Sequence, residues 1–506
     1  MASTFALSRS HLIFGLCLPL AILLGYLLAE PLDSISLVVF IMVLAVLSVP
    51  VLMRWHHPLL IVSWNAAISP YFLPGQPPLW ILMAFLSLLF AVLNRAVNPA
   101  HRFLSAPSLT RPLLALLLVV GGTAMMTGGL GMRVMGSDAY GGKGYIYLLG
   151  AVLGYFALVS QPIPTAQAQW AVALFFLSGL TAVVSHLAYV AGPKFYFLYE
   201  LFPLATAMDQ VAADYSLDNV MLRLGGLPIA ALAVFAFLLA RHGITGVFNL
   251  SRPWRLLLFL GTVGASMFGG FRSAIVLMGA TFAILFVLER VWRTRAMGLL
   301  VLLAIVTGVL LAGFVDRLPL AVQRAVSFLP LNVNPLVKES AESSTEWRVE
   351  MWRAVLPQVP QYLFRGKGYA LAPDDIFMAA ESTGRGLTRS WENAAVAGDY
   401  HNGPLSVLIP FGIYGLLAFG WLLVAGGRYL HRNYRHGPPE LRRINAFLLA
   451  FFLARIGFFF LVYGALYTDL FYFTGILGLS VALNARPQPA AEPAPEAALN
   501  EIGWSR

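Results

Sequence analysis

Three residues of this chain form a set that could do chemistry. They are Arg272 in FGGFRSAIV, Arg348 in TEWRVEMWRAVL and His401 in GDYHNGP. Arginine is a planar fork that stays charged and grips phosphate oxygens in pairs. A pyrophosphate leaving group needs that help, because its charge grows as the bond to it breaks. Histidine is the side chain best poised to act as a base near neutral pH. His401 runs straight into Asn402-Gly403-Pro404, and proline there suits the first turn of a helix. A helix N-terminus beside the ring disfavours imidazolium and leaves it able to take a proton. The set fits transfer of a group from a phosphate-activated donor to a hydroxyl.

Taken singly, each residue also fits a plainer role. Arg272 could be a helix end that snorkels to headgroups. Arg348 could pair with Glu346 or Glu350 on a solvated helix. His401 could be a surface histidine. Their shared setting is what points to chemistry. Secondary candidates surround them. Arg365 flanks Gly366 with Lys367 and could add a phosphate contact. Trp352 lies four residues after Arg348, on the same helix face, where it could stack on a sugar or pack the segment onto the membrane. Tyr400 adjoins His401. Arg455 lies inside the apolar run FLLAFFLARIGFFFLVYG. A central arginine costs ~2.5–3.5 kcal/mol there, so it needs a partner, and Asp469, Glu289 or a lipid phosphate could serve. No Cys/His cluster has metal-ligand spacing, so no metal is expected. No Walker or dinucleotide motif is present, and no cofactor is expected. Cys17 is the only cysteine, so no intramolecular disulfide can form.

The elements that must position these residues follow from composition. The chain is 59% hydrophobic and 11% charged, so it is not a soluble globule. A membrane span needs ~20 mostly apolar residues. On that scale the expectation is an all-α, polytopic membrane protein of roughly 12–14 transmembrane helices, with short runs such as 34–53 and 59–74 each read as a span. The segment from Phe314 to Gly403 is different. It holds ten of the 23 acidic and nine of the 33 basic residues and sums to −1, so it must sit in water. Ser343 three residues before Glu346 predicts a capping box, and a helix from there to about Pro357. Arg272 is expected at the junction of two short helices, 255–270 and 273–289.

Arginine placement sets the orientation. Arg290, Arg293 and Arg295 precede the polar segment, and Arg428, Arg432, Arg435, Arg442 and Arg443 follow it. Arginine-rich short loops stay in the cytoplasm. Both termini are thus expected inside and the polar segment outside. The formal net charge of +10 reflects topology and anionic lipid headgroups, not nucleic acid. The expected organisation is a transmembrane bundle over 1–313, a large periplasmic loop over 314–403, transmembrane helices over 404–484 and a disordered cytoplasmic tail over 485–506.

The stretch from about Leu250 to Ala425 resembles the bacterial O-antigen ligase and O-antigen polymerase superfamily. Three elements carry the resemblance. They are the arginine between two spans in GGFRSA, the run TEWRVEMWRAVLPQVPQYLFRGKGYA with its Arg-x-x-x-Trp helix and Gly-x-Gly turn, and DYHNGPLSVLIPFGIYGLL. The chain departs from the family pattern at Phe271, where serine is usual, and at Gly403-Pro404. The resemblance implies a metal-independent membrane glycosyltransferase of GT-C-like fold in the bacterial inner membrane, working on the periplasmic side. It implies an undecaprenyl-pyrophosphate-linked glycan donor and a glycan, lipid or protein hydroxyl as acceptor. It assigns pyrophosphate to Arg272 and Arg348 and the base to His401. Polysaccharide-assembly proteins and the lipid bilayer are the implied partners. From the residues alone, a polytopic transporter or flippase for lipid-linked saccharide, or a structural assembly subunit, stays open.

Overall fold

The computed structural model describes residues 22, 25, 34–97, 103–131, 141–203, 224–371, 375 and 391–485. Most of residues 1–33, Cys17 among them, residues 132–140 and the tail after residue 485 lie outside them. The chain divides into two compact units, Met1–His56 and His57–Arg506. The first is helical wherever it is described. The second carries every candidate residue.

In chain order the α-helices of six or more residues are α1 (Ser34–Ser63), α2 (Leu79–Val97), α3 (Pro107–Thr127), α4 (Gly142–Leu158), α5 (Ala168–Leu177), α6 (Val184–Ala191), α7 (Gly226–Val247), α8 (Pro253–Met267), α9 (Arg272–Leu288), α10 (Ala296–Phe314), α11 (Leu320–Val326), α12 (Pro335–Val355), α13 (Trp391–Val396), α14 (Gly403–His436), α15 (Arg442–Leu461) and α16 (Leu466–Asn484). No strand occurs among the described residues. Eight helical segments there are long and apolar enough to cross a membrane, and α4 and α9 are shorter apolar helices. The all-α, polytopic expectation holds.

Two local expectations fail for identifiable reasons. The run 59–74 is not a helix of its own. α1 continues unbroken to Ser63, and residues 64–78 are irregular. Pro70, Pro74, Pro77 and Pro78 strip donors from that stretch and forbid a helix. The capping box is also absent. α12 begins at Pro335, where Asn334 Oδ1 accepts from Leu336 N at 2.9 Å. Asn-Pro is the stronger start, because it caps one orphan donor and removes another. Ser343 therefore lies mid-helix, its hydroxyl turned back to the Ser340 carbonyl.

The segment between α10 and α14 is pinned to the bundle by backbone groups. Pro410 and Gly412 kink α14, and Gly412 takes φ +64°. The kink exposes carbonyls that a straight helix would consume. Lys367 N donates to Ile409 O at 2.8 Å and Gly368 N to Pro410 O at 2.9 Å. Gly366 and Gly368 adopt φ of +73° and +68°, so the Gly-x-Gly turn needs glycine at both ends. A second, smaller core of Met351, Val355, Tyr400, Leu405 and Ile409 then seats α12 against the start of α14.

Candidate active site

His401 sits in the short strap between α13 and α14 and has a left-handed backbone, φ +49°. Such a conformation in a non-glycine residue is sparsely populated and persists only where its surroundings enforce it. Three interactions do so. His401 N donates to Asp399 Oδ1 at 3.2 Å. Trp352 Nε1 donates to the Tyr400 carbonyl at 2.8 Å. Asn402 Oδ1 caps α14 by accepting from Leu405 N at 3.1 Å. Gly403 must then pass against the Phe459 carbonyl and ring, leaving no room for a Cβ. That packing accounts for glycine at a position where the sequence departs from the family pattern.

The imidazole lies between two aromatic edges, Trp347 at 4.9 Å and Tyr463 at 4.8 Å between centroids. Its Nε2 is 3.7 Å from Asp399 Oδ2. Its Nδ1 is buried with no hydrogen-bond partner among the described residues. Tyr463 Oη donates to the same Asp399 Oδ2 at 3.0 Å. Burial pushes the His401 pKa below its ordinary value; Asp399 opposes that shift and Arg348 adds to it. Burial also raises Tyr463, and Asp399 raises it further, so its hydroxyl stays protonated and donates. At neutral pH the ring is an uncharged imidazole beside an anchored carboxylate.

Arg272 is the first residue of α9, at the junction where it was expected, and its Nη2 donates to Ala341 O of α12 at 3.1 Å. Arg348 projects from α12, with Nη1 3.5 Å from the Val462 carbonyl, one residue before Tyr463. The Arg348 pKa is lowered by burial and then by Arg272, while Tyr463 and Asp399 act the other way. The structure thus brings both guanidiniums and His401 into one electrostatic neighbourhood. Neither arginine makes an ion pair among the described residues.

The secondary candidates separate. Trp352 and Tyr400 act through packing and the Tyr400 backbone, which fix the His401 strap. Arg365 is exposed and donates to Met126 O at 3.2 Å, beside a separate cavity of about 340 Å³ that none of Arg272, Arg348 and His401 lines. Lys367 pairs with Asp375. Arg455 pairs with Asp469 at 3.7 Å, not with Glu289, whose Oε2 instead accepts from Ile244 N.

Sequence reasoning missed three supporting residues. Asp399 was visible as the acid two residues before His401. Tyr463 arrives from the α15–α16 connection, and nothing local marks it. Buried Arg324 on α11 donates to Gly270 O at 2.7 Å and so fixes the turn that presents Arg272.

No curated protein matches the chain. Residues 256–420 match the family model of O-antigen ligase. Arg272, Arg348 and His401 all fall inside that match, so the stretch that carries them is similar to the O-antigen ligase family.

Proposed function

We propose that the protein transfers a glycan from an undecaprenyl-pyrophosphate-linked donor to an acceptor hydroxyl, at the periplasmic face of a bacterial inner membrane and without a metal. The observation that carries this reading is the convergence of two guanidiniums, neither in an ion pair among the described residues, on a histidine kept neutral by burial. Two neighbouring like charges that form no ion pair among the described residues favour an anion, and a diphosphate matches their paired forks. The family match supports glycan transfer as the type of reaction.

In this mechanism His401 takes the proton of the acceptor hydroxyl as its oxygen bonds to the anomeric carbon of the donor glycan. The bond from that carbon to the pyrophosphate oxygen breaks, and its electron pair leaves on the lipid pyrophosphate. Arg272 and Arg348 hold the growing charge. Asp399 orients the ring and steadies the imidazolium, which then loses its proton to water. The acceptor is a glycan, lipid or protein hydroxyl, since polymerase and ligase chemistry share these steps.

His401→Ala tests the base directly. With purified protein and lipid-linked glycan, kcat should fall ~10²–10⁴-fold while the donor still binds. Wild type should keep its full rate in EDTA. Equal rates for variant and wild type would remove His401 from the chemistry; activity lost in EDTA and restored by a divalent ion would defeat the metal-free mechanism. The facing of the site is tested by labelling. In a Cys17→Ser background, Ser343→Cys, exposed on α12, should react with an impermeant maleimide once the outer membrane is permeabilised. His436→Cys, exposed at the far end of α14, should react only after the inner membrane is opened. The reverse pattern places the centre on the cytoplasmic side and rules out a periplasmic enzyme.

A further inference from the structure

A cavity of about 580 Å³ adjoins the His401 centre, within the range of small-molecule sites. Phe271 and Ser273, on either side of Arg272, form part of its wall, as does Tyr463, whose hydroxyl holds Asp399. The cavity is framed by two interrupted segments. One is the irregular stretch after α1, where Trp64 packs on Gly475, midway along α16. The other is the turn of 3-10 helix at Ser178–Val183 between α5 and α6. The two are tied together: Asn65 Nδ2 donates to Phe175 O and Ala67 N to Thr181 Oγ1, both at 2.8 Å. Irregular backbone at the depth of the spans is tolerated only where protein buries it or where it lines a polar cavity.

The polar groups of this cavity are specific. Arg455 is 7% exposed, and its Nε has no hydrogen-bond partner among the described residues. Its guanidinium stacks on Tyr472 at 3.6 Å, and its charge is met by Asp469. The pair is neutral overall, so a second pyrophosphate is disfavoured. A prenyl chain would offer no partner to the polar groups of this wall, Asn65, Thr468 and the Arg455–Asp469 pair, and would strip them of water. The remaining walls are aromatic on one part, including Trp80, Phe458 and Phe471, and aliphatic on another, including Ile229, Leu232 and Leu277. Aromatic faces beside hydrogen-bonding planar groups suit a ligand with apolar C–H faces and a rim of hydroxyls.

We propose that this cavity seats a neutral sugar ring of the glycan handled at the His401 centre, stacked on the aromatic walls and hydrogen-bonded by Arg455 and Asp469. The proposal rests on the glycan-transfer reading. The ring could come from the donor or from the acceptor, and the experiment separates the two.

The probes are lipid-linked glycan extracted from the source cells, the same glycan released from its lipid, and bare undecaprenyl pyrophosphate. The variants are Arg455→Gln, which removes the guanidinium, and Ala274→Leu, which fills the cavity wall and leaves the ion pair intact if Arg455→Gln does not fold. Each should weaken glycan binding about tenfold, the effect of one charged hydrogen bond. Affinity for bare undecaprenyl pyrophosphate should not change. A loss confined to released glycan assigns the ring to the acceptor; a loss on the lipid-linked form assigns it to the donor. An equal loss on bare undecaprenyl pyrophosphate overturns the proposal in favour of the prenyl chain, and no change on any probe overturns it outright. A wild type that does not bind bare undecaprenyl pyrophosphate defeats the reading of Arg272 and Arg348, while the glycan arms still decide the cavity.

Discussion

Arg455 lines the same cavity as Tyr463, and Arg348 feels Tyr463 electrostatically, yet the protein treats their charges in opposite ways. Arg455 is buried against Asp469 and the face of Tyr472, so its charge is answered inside the fold. Arg348 has Arg272 as its like-charged neighbour, feels Asp399 the other way without forming an ion pair among the described residues, and makes only a long contact to the Val462 carbonyl. An internally balanced arginine holds structure and shapes a wall. An unbalanced pair, tied together where Arg272 of α9 donates to the Ala341 carbonyl of α12, is incomplete until an anion arrives. The difference separates a cation whose charge is met within the fold from one left to meet an anion, without reference to any relative.

Stability measurements should break or sharpen that contrast with the largest effect. Arg455→Leu strands a buried carboxylate and should cost about 3 kcal/mol or more, whereas Arg455→Leu combined with Asp469→Leu should recover most of the loss. Arg348→Met removes a like-charge contact and should leave unfolding unchanged or slightly delayed. Thermal unfolding in detergent reads all three, and a large loss for Arg348→Met would show that its charge is already balanced internally.

A smaller effect concerns pH. Burial lowers the His401 pKa, and Asp399 partly restores it. The base works when neutral, so activity should be full at neutral pH and fall only as pH drops through the lowered pKa. Asp399→Asn removes the group that raises this value. The acid limb of the rate profile should therefore move to lower pH, with a reduced plateau because the ring loses its orienting carboxylate. A limb moved to higher pH, or not moved, would mean that Asp399 does not act on His401.

How much of this was legible in the sequence depends on distance along the chain. The α8–α9 junction that presents Arg272, the helix bearing Arg348 and the N-terminus after His401 are local features, marked by apolar periodicity, charge and proline. The partners that make them a site are not local. Trp352 reaches Tyr400 across 48 residues, Arg324 reaches Gly270 across 54, and Tyr463 reaches Asp399 across 64. Local rules also competed. Ser343 and Glu346 satisfy the spacing of a capping box, but the earlier Asn334-Pro335 start wins. The run 59–74 has the composition of a span, but its prolines break it and leave a cavity wall instead. The Asp469 partner of Arg455 was readable because an arginine in an apolar run must find an acid, and few acids are near.

The most direct test of the central claim is the affinity for undecaprenyl pyrophosphate without glycan, measured by titration on wild type, Arg272→Lys, Arg348→Lys and the double variant. Lysine keeps the charge but lacks the paired fork. The account predicts that each single change weakens binding at least tenfold, that the double change weakens it further, and that His401→Ala binds as wild type does. Lysine variants with wild-type affinity would contradict it, because the two guanidiniums would then not be the pyrophosphate cradle.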